Sequence, residues 1–180
     1  LEIAAEITRC EMLCTMVTGG YGITEKLAAK MRQAGIVQAS VSVDGTEETH
    51  DYLRGKKGSW QACFQSIKYL NEAGIVTTCN TQINRKSSSE IFQIYEIIRA
   101  AGVKAWQIQM TVPMGNAADN WELLLQPYEL LELHPRLAEL AKQAKKDDIW
   151  LIPGNNVGYF GPFERLIRGG KEWTFWNGCK

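Results

Sequence analysis

Three stretches of the chain alternate apolar and polar residues with a period of two, and in each the polar set is unusual for a buried strand. In "SVSVD", Val41 and Val43 alternate with Ser40, Ser42 and Asp44. In "NTQIN", Asn80, Gln82 and Asn84 share one face. In "WQIQMTV", Gln107, Gln109 and Thr111 oppose Ile108, Met110 and Val112. Successive side chains of a strand point to opposite faces, so each stretch predicts a strand with one apolar and one polar side.

Helical segments separate these strands. Three similar joints, Ala34-Gly35-Ile36, Ala73-Gly74-Ile75 and Ala101-Gly102-Val103, each follow a helix-like run and precede a β-rich one, with glycine where a helix end needs positive φ. The order read from the chain is a helix from Leu1, a strand near Leu13 to Thr18, a "TGGYGIT" loop, and a helix capped by Thr24. Strand "QASVSVD" follows, then a long loop to Gly58 and a helix capped by Ser59. Strand "TTCNTQIN", a helix in "KSSSEIFQIYEIIRAA", strand "WQIQMTV", a polar "MGNAADN" loop and a helix over 125–145 come next. Strand "IWLIP" then enters "GNNVGYFGPFE".

Strands alternating with helices imply parallel strands with right-handed crossovers, hence an α/β barrel or a doubly wound sheet. A doubly wound sheet is covered on both faces and reads as continuous apolar runs, which these strands are not. A barrel lumen lined by Ser, Asp, Asn and Gln must hold water or a polar ligand, because an unpaired buried polar group costs about 1–3 kcal/mol. The fold expected is therefore a partial (β/α) TIM-like barrel with parallel strands and a polar lumen. Ligands of such folds lie at the C-terminal ends of the strands. That directs attention to Thr18, Ser42, Asp44, Asn80, Gln82, Gln109 and Thr111 and to the glycine-containing loops beside them. None of those loops matches a dinucleotide fingerprint or a P-loop.

Composition adds exclusions. The 180 residues carry 20 Lys+Arg and 20 Asp+Glu, so no global field points to a nucleic acid or a membrane surface. No apolar run is long enough to span a bilayer and no signal-peptide pattern is present, so a soluble cytoplasmic setting is expected. The five cysteines (Cys10, Cys14, Cys63, Cys79, Cys179) are odd in number and irregularly spaced, unlike a secreted disulfide framework. Cys10 and Cys14 form a lone C-x3-C and are read as ordinary buried cysteines. Trp60, Trp106 and Trp121 are read as packing residues, and His50 as a structural hydrogen-bonder of its loop. Asp44 is open between a turn or capping role and lumen chemistry. The chain begins without Met inside an apolar-periodic segment and stops just after a cysteine, and it is read as an internal fragment.

Taken together, "TMVTGG", "SVSVDGTEETHDYLRG", "VPMGNAA" and the terminal "WNGCK" resemble elements of the radical S-adenosylmethionine superfamily, specifically its subgroup with a SPASM extension. The resemblance implies a barrel over residues 1–172 lacking its first strands, and the start of an iron-sulfur SPASM extension at 173–180. It implies S-adenosylmethionine as cofactor, contacted by Ser42, by Arg54 twelve positions later, and by the backbone of Val112. It also implies a 4Fe-4S cluster whose primary ligands, C-x3-C-x2-C, are not in this chain: a third cysteine after Cys10 and Cys14 would stand at position 17, which is Val17. Cys179 is the expected ligand of an auxiliary iron-sulfur cluster. Thr18, Asn80, Gln82, Gln109, Asn155 and Asn156 are expected to face substrate, the last two in a loop that reads equally well as a rigid Gly/Pro turn.

The activity implied is reductive cleavage of S-adenosylmethionine followed by hydrogen abstraction from a substrate, a peptide, protein or small molecule, with flavodoxin or ferredoxin as electron donor. Residues 1–180 alone are expected to bind S-adenosylmethionine weakly and to be inactive. Two other readings remain. One is a cluster-free barrel lyase or aldolase using Asp44 or His50 as base, although the lumen-facing strand positions hold no Lys. The other is a non-catalytic peptide-binding barrel.

Overall fold

The computed structural model describes residues 1–158 and 161–168. Tyr159, Cys179 and the expected SPASM segment at 173–180 lie outside the described residues. Helix α1 (Glu2–Arg9) leads to β1 (Cys14–Thr18), α2 (Glu25–Gln33), β2 (Ile36–Ser42), α3 (Glu47–Arg54) and α4 (Ser59–Glu72). Then come β3 (Val76–Ile83), α5 (Ile91–Ala100), β4 (Ala105–Met110), α6 (Asn116–Asp119), α7 (Leu130–Lys146), β5 (Trp150–Pro153) and α8 (Glu164–Arg168). The strands form one sheet in the order β1-β2-β3-β4-β5, every neighbouring pair parallel. Consecutive strands lie side by side with helical crossovers between them, which is the α/β partial barrel that the sequence predicts.

Local chemistry sets the element ends where the sequence places them. The Thr24 hydroxyl accepts from Leu27 N–H at 3.2 Å and opens α2. Gly35, Gly74 and Gly102 end the preceding helices at φ +92°, +75° and +79°. Several expectations are revised: the polar "MGNAADN" loop contains α6, and the helix expected over 125–145 is α7, which begins at Leu130. Residues 47–54, read as loop, form α3, a short and polar helix with Tyr52 and Leu53 as its only large apolar side chains, ended by Gly55 at φ +61°. Helix α4 is capped not by Ser59, its first residue, but by the Asp51 carboxylate.

The core lies between the sheet and its helices. Val41, Cys79, Trp106 and Ile108 on the helix side of β2–β4 are at most 1% exposed, and Ile67, Leu70, Ile94 and Ile98 cover them. Each such isoleucine or leucine contributes about 1.5–3 kcal/mol by leaving water. The polar side chains beneath the sheet centre are paired with one another: the Trp106 indole N–H donates to Thr81 Oγ1 at 2.7 Å, and the Thr81 hydroxyl donates to Val43 O at 2.6 Å. Trp60 stacks near Phe64 with centroids 4.4 Å apart, so it and Trp106 are packing residues. Trp121 is 68% exposed and is not one. Cys14, Cys63 and Cys79 are buried, but Cys10 is exposed. Among the described residues no helix is long and apolar enough to cross a membrane.

The loop after β1 passes so close to α4 that only glycine fits. A Cβ on Gly20 (φ +76°) would lie 2.6 Å from Ser66 Oγ and 2.9 Å from Cys63 Cα, whereas a Cβ on Gly22 (φ +79°) would meet nothing within 4 Å. Both positions carry the left-handed penalty of about 1–2 kcal/mol for alanine, and only Gly20 adds overpacking, about 1–3 kcal/mol more. Urea denaturation should therefore show Gly22→Ala mildly destabilised and Gly20→Ala clearly more so; equal losses would contradict the close approach.

Candidate functional site

The face of the sheet turned away from the helices is built in rows, because partners in a parallel ladder share a face. Ser42, Asn80, Gln107 and Ile152 align across β2–β5. Toward the strand ends Gln82 pairs with Gln109, and the Gln82 amide donates to Gln109 Oε1 at 2.6 Å. Toward the strand starts the row is Val17, Ser40, Thr78, Ala105 and Trp150. Val17 and Trp150 are 69% and 73% exposed on this face. The expected polar lumen is thus polar in its upper rows, and its lowest row is mixed, with Ser40 and Thr78 in the middle and Val17 and Trp150 at the two edge strands.

Above the rows, at the C-terminal ends of β2, β3 and β4, lies an open cleft of about 460 Å³ whose wall includes Asp44, Arg54, Gln82, Asn84, Thr111 and Asn116. Asp44, 6% exposed, anchors it. Its Oδ1 accepts from Gln82 N–H at 2.9 Å and its Oδ2 from Arg54 Nη2 at 2.5 Å, while its own N–H donates to His50 Nδ1 at 3.1 Å. A backbone N–H can only donate, so Nδ1 carries a lone pair and the neutral ring bears its proton on Nε2, 3.6 Å from Cys63 Sγ. Burial, foremost, pushes the His50 pKa down and the Cys63 thiol up to about 11. His50 is the structural hydrogen-bonder that the sequence predicts.

Helix α3 carries Arg54 to the cleft and is fixed at both ends. Glu90 accepts from Thr46 N–H at 2.8 Å and from the Thr49 hydroxyl at 2.6 Å at its start. Asp51 accepts from Trp60 N–H at 2.8 Å, Gly58 N–H at 2.5 Å and the Ser59 hydroxyl at 2.8 Å, locking α3 to α4. Gly45 turns tightly beneath: a Cβ there would lie 2.6 Å from Thr49 Cγ2. Glu90 carries no sequence signal, since it lies more than forty positions from the residues it holds.

The structure brings some of the predicted site residues together and separates others. Arg54 and Gln82 share the cleft wall. Ser42 and Asn80 sit side by side one row below, and Gln109 adjoins Gln82. Val112 follows the end of β4, its carbonyl accepting from Met114 N–H at 2.7 Å. Thr18 pairs with Val41, on the helix-covered side, and its hydroxyl accepts from Gly20 N–H at 3.0 Å, which withdraws it from the lumen. Asn156 is occupied in the fold: its Oδ1 accepts from Met110 N–H at 3.1 Å and its Nδ2 donates to Met110 O at 2.5 Å, extending the edge of β4. Asn155 is exposed beside it. Asn84, Asn116 and Thr111 complete the wall, and Asn84 also caps a turn by accepting from Lys86 and Ser87 N–H.

No group of three His, Cys, Asp or Glu among the described residues is placed to hold a metal. Cys10 is exposed past α1, Cys14 is buried on β1, and the remaining described thiols lie in the core, so these residues do not fit an iron-sulfur cluster. The cleft does fit a polar, carboxylate-bearing small molecule, having a volume in the range of small-molecule sites and an arginine on its wall.

Residues 1–84 match the family model described as the radical SAM superfamily. The AdoMet-dependent heme synthase of Nitratidesulfovibrio vulgaris is 33% identical over 133 residues, covering 73% of this chain and 36% of that protein. The sporulation killing factor maturation protein SkfB of Bacillus subtilis is 32% identical over 90 residues, covering 50% of this chain and 22% of that protein. Among solved structures, native anSMEcpe with bound AdoMet and Kp18Cys peptide is similar at a TM-score of 0.69 and 13% identity, over 83% of this chain and 44% of that one. That last likeness is one of fold. The chain spans less than half the length of each of these proteins.

The Asp51 carboxyl is held below its ordinary range, first by Trp60 N–H and then by Gly58 N–H and the Ser59 hydroxyl. A depressed carboxylate stabilises the fold fully above its unfolded pKa and loses that contribution as pH falls through the folded value. The Tm of the wild-type protein should therefore exceed that of Asp51→Asn at pH 7, and the gap should shrink on acidification toward pH 3. A gap independent of pH would show that the carboxylate charge is not what caps α4.

Proposed function

The chain belongs to the radical SAM superfamily, and from that premise we propose that the cleft over β2–β4 is its S-adenosylmethionine site, in a protein that abstracts hydrogen from a peptide. Arg54 carries this reading: it is the cation on the cleft wall, presented by a helix anchored at both ends, where the carboxylate of an amino-acid cofactor needs a planar donor. Ser42, one row lower, offers a hydroxyl toward the lumen for the ribose. The backbone at Val112, just past β4, is assigned to the adenine on the resemblance of "VPMGNAA". In this superfamily S-adenosylmethionine with a 4Fe-4S cluster supplies one-electron hydrogen abstraction. The described residues provide no cluster ligands, and their part is to bind, orient and enclose. Cys179 is assigned to an auxiliary cluster on the strength of "WNGCK", and a flavodoxin- or ferredoxin-type protein to electron supply.

A peptide substrate is supported by the chemistry of the upper lumen. Asn80, Gln82, Gln107 and Gln109 offer uncharged amides, which match the alternating donors and acceptors of a peptide backbone. SkfB is by name a maturation protein, and the anSMEcpe structure contains a peptide. A second reading, a tetrapyrrole substrate, is favoured by the 33% identity to a heme synthase. Its carboxylates would need cations, and the lumen-facing positions of the five strands carry none.

The complete gene product carrying this chain, reconstituted anaerobically with iron and sulfide, should bind S-adenosylmethionine and form 5'-deoxyadenosine under reduction. Arg54→Ala should weaken binding by about tenfold or more and Ser42→Ala by about threefold to tenfold, as expected for one charge-assisted and one neutral hydrogen bond. Wild-type affinity in both variants, measured by calorimetry, would remove the cofactor from this cleft. Turnover with a candidate precursor peptide but not with an iron porphyrin would support the first reading over the second.

A further inference from the structure

Arg54 is not free to swing. Its side chain is 38% exposed, yet Nη2 is bonded to Asp44, whose side chain is 9% exposed. Asp44 is held in turn by Gln82 N–H on β3 and, through its own N–H, by His50 on α3, a residue 1% exposed that backs onto Cys63 of α4. A connected series of hydrogen bonds thus runs from the core to the cleft. A guanidinium has five N–H donors in a rigid fork, so a carboxylate that takes one of them restricts the directions in which the others point.

Resting on the reading that Arg54 meets the carboxylate of S-adenosylmethionine, we propose that Asp44 is the positioning residue that sets the Arg54 fork for that ligand, and that His50 positions Asp44. His50 does not line the cleft, and Asp44, although on its wall, acts through the bonds it makes to Arg54 and Gln82 N–H. Asp44 fixes the direction from which the carboxylate must approach, and His50 fixes the backbone from which the Asp44 side chain departs. The same argument gives the "D" and "H" of "SVSVDGTEETHDYLRG" a joint purpose, since both act on the "R" of that stretch.

The test separates orientation of a carboxylate from general folding. S-adenosylmethionine and its decarboxylated analogue, which keeps the adenosine and the sulfonium but has no carboxylate, are titrated into the complete gene product and its variants. Asp44→Asn should weaken S-adenosylmethionine about tenfold and leave the analogue within about twofold. Asp44→Glu, which keeps the charge and displaces it by one methylene, should give the same selective loss and serves where the asparagine variant does not fold. His50→Leu should give a smaller selective loss, and His50→Asn, whose amide oxygen can accept from Asp44 N–H, should restore most of it.

Equal weakening of both ligands by the Asp44 variants would overturn the proposal in favour of a purely structural role. Unchanged affinities in them, with Arg54→Ala still selective against S-adenosylmethionine, would overturn it while leaving the cleft reading intact. Loss of selectivity in Arg54→Ala itself would bring down the cleft reading and the proposal with it.

Discussion

The cleft depends on the register between β2 and β3. With Ser42 beside Asn80, the carboxylate two residues on reaches Gln82 N–H, and Arg54 is drawn to the same point. Side chains on a strand alternate, so a slip of one residue would place Val41 and Val43 in the lumen and drive Ser42 and Asp44 under the helices. The register is held from the far side of the sheet. Val43 N–H donates to Asn80 O at 2.9 Å, the Thr81 hydroxyl to Val43 O, and the Trp106 indole to Thr81, all in the core. The buried face thus specifies what the open face presents.

A carboxylate nearly closed off from water is tolerable only when its charge is met, since removing a partner from a buried pair costs about 3–5 kcal/mol. Asp44 is met by a guanidinium and a backbone N–H, and the imidazole beneath it stays neutral. A charged His50 would lose its acceptor for Asp44 N–H, and burial disfavours that charge in any case. The glycine after Asp44 belongs to the same device. It lets the chain turn against Thr49 so that α3 starts within reach of Glu90 and ends with Arg54 at the cleft.

Much of this is legible in the sequence. Alternation in three strands gave the lumen face, and the glycine joints gave the βα repeat, because both are local consequences of backbone geometry. What was hidden depends on contacts distant in sequence. Helix α3 is polar and short, and it is held by Glu90 at its start and by the Asp51 bonds to α4, both contacts that a local reading does not show. Thr18 is expected at the ligand end of a strand from its position alone, and the register of β1, which pairs it with Val41, turns it to the helix-covered side. Asn156 looked available because nothing in "GNNVG" shows that β4 lacks a backbone partner at Met110, the vacancy its amide fills. That Val17 and Trp150 fall in one row of the lumen face, at the two edge strands, follows only from the register of all five strands.

The same geometry weighs against chemistry carried by the protein's own side chains at this cleft. A base must face a substrate, and Asp44 is 6% exposed with each oxygen already accepting a hydrogen bond, one from Gln82 N–H and one from Arg54. The lone pair of His50 is taken by Asp44 N–H, and its other nitrogen faces a thiol rather than the cleft. That thiol is no nucleophile: with its pKa at about 11 Cys63 is protonated at neutral pH, buried among Gly19 O, Ser42 O and the His50 ring. The lumen-facing strand positions hold no lysine. Residues that a lyase or aldolase would spend on proton transfer are here spent on holding one guanidinium in place. That is the economy expected of a site whose reactivity comes from a bound cofactor and whose polypeptide contributes orientation.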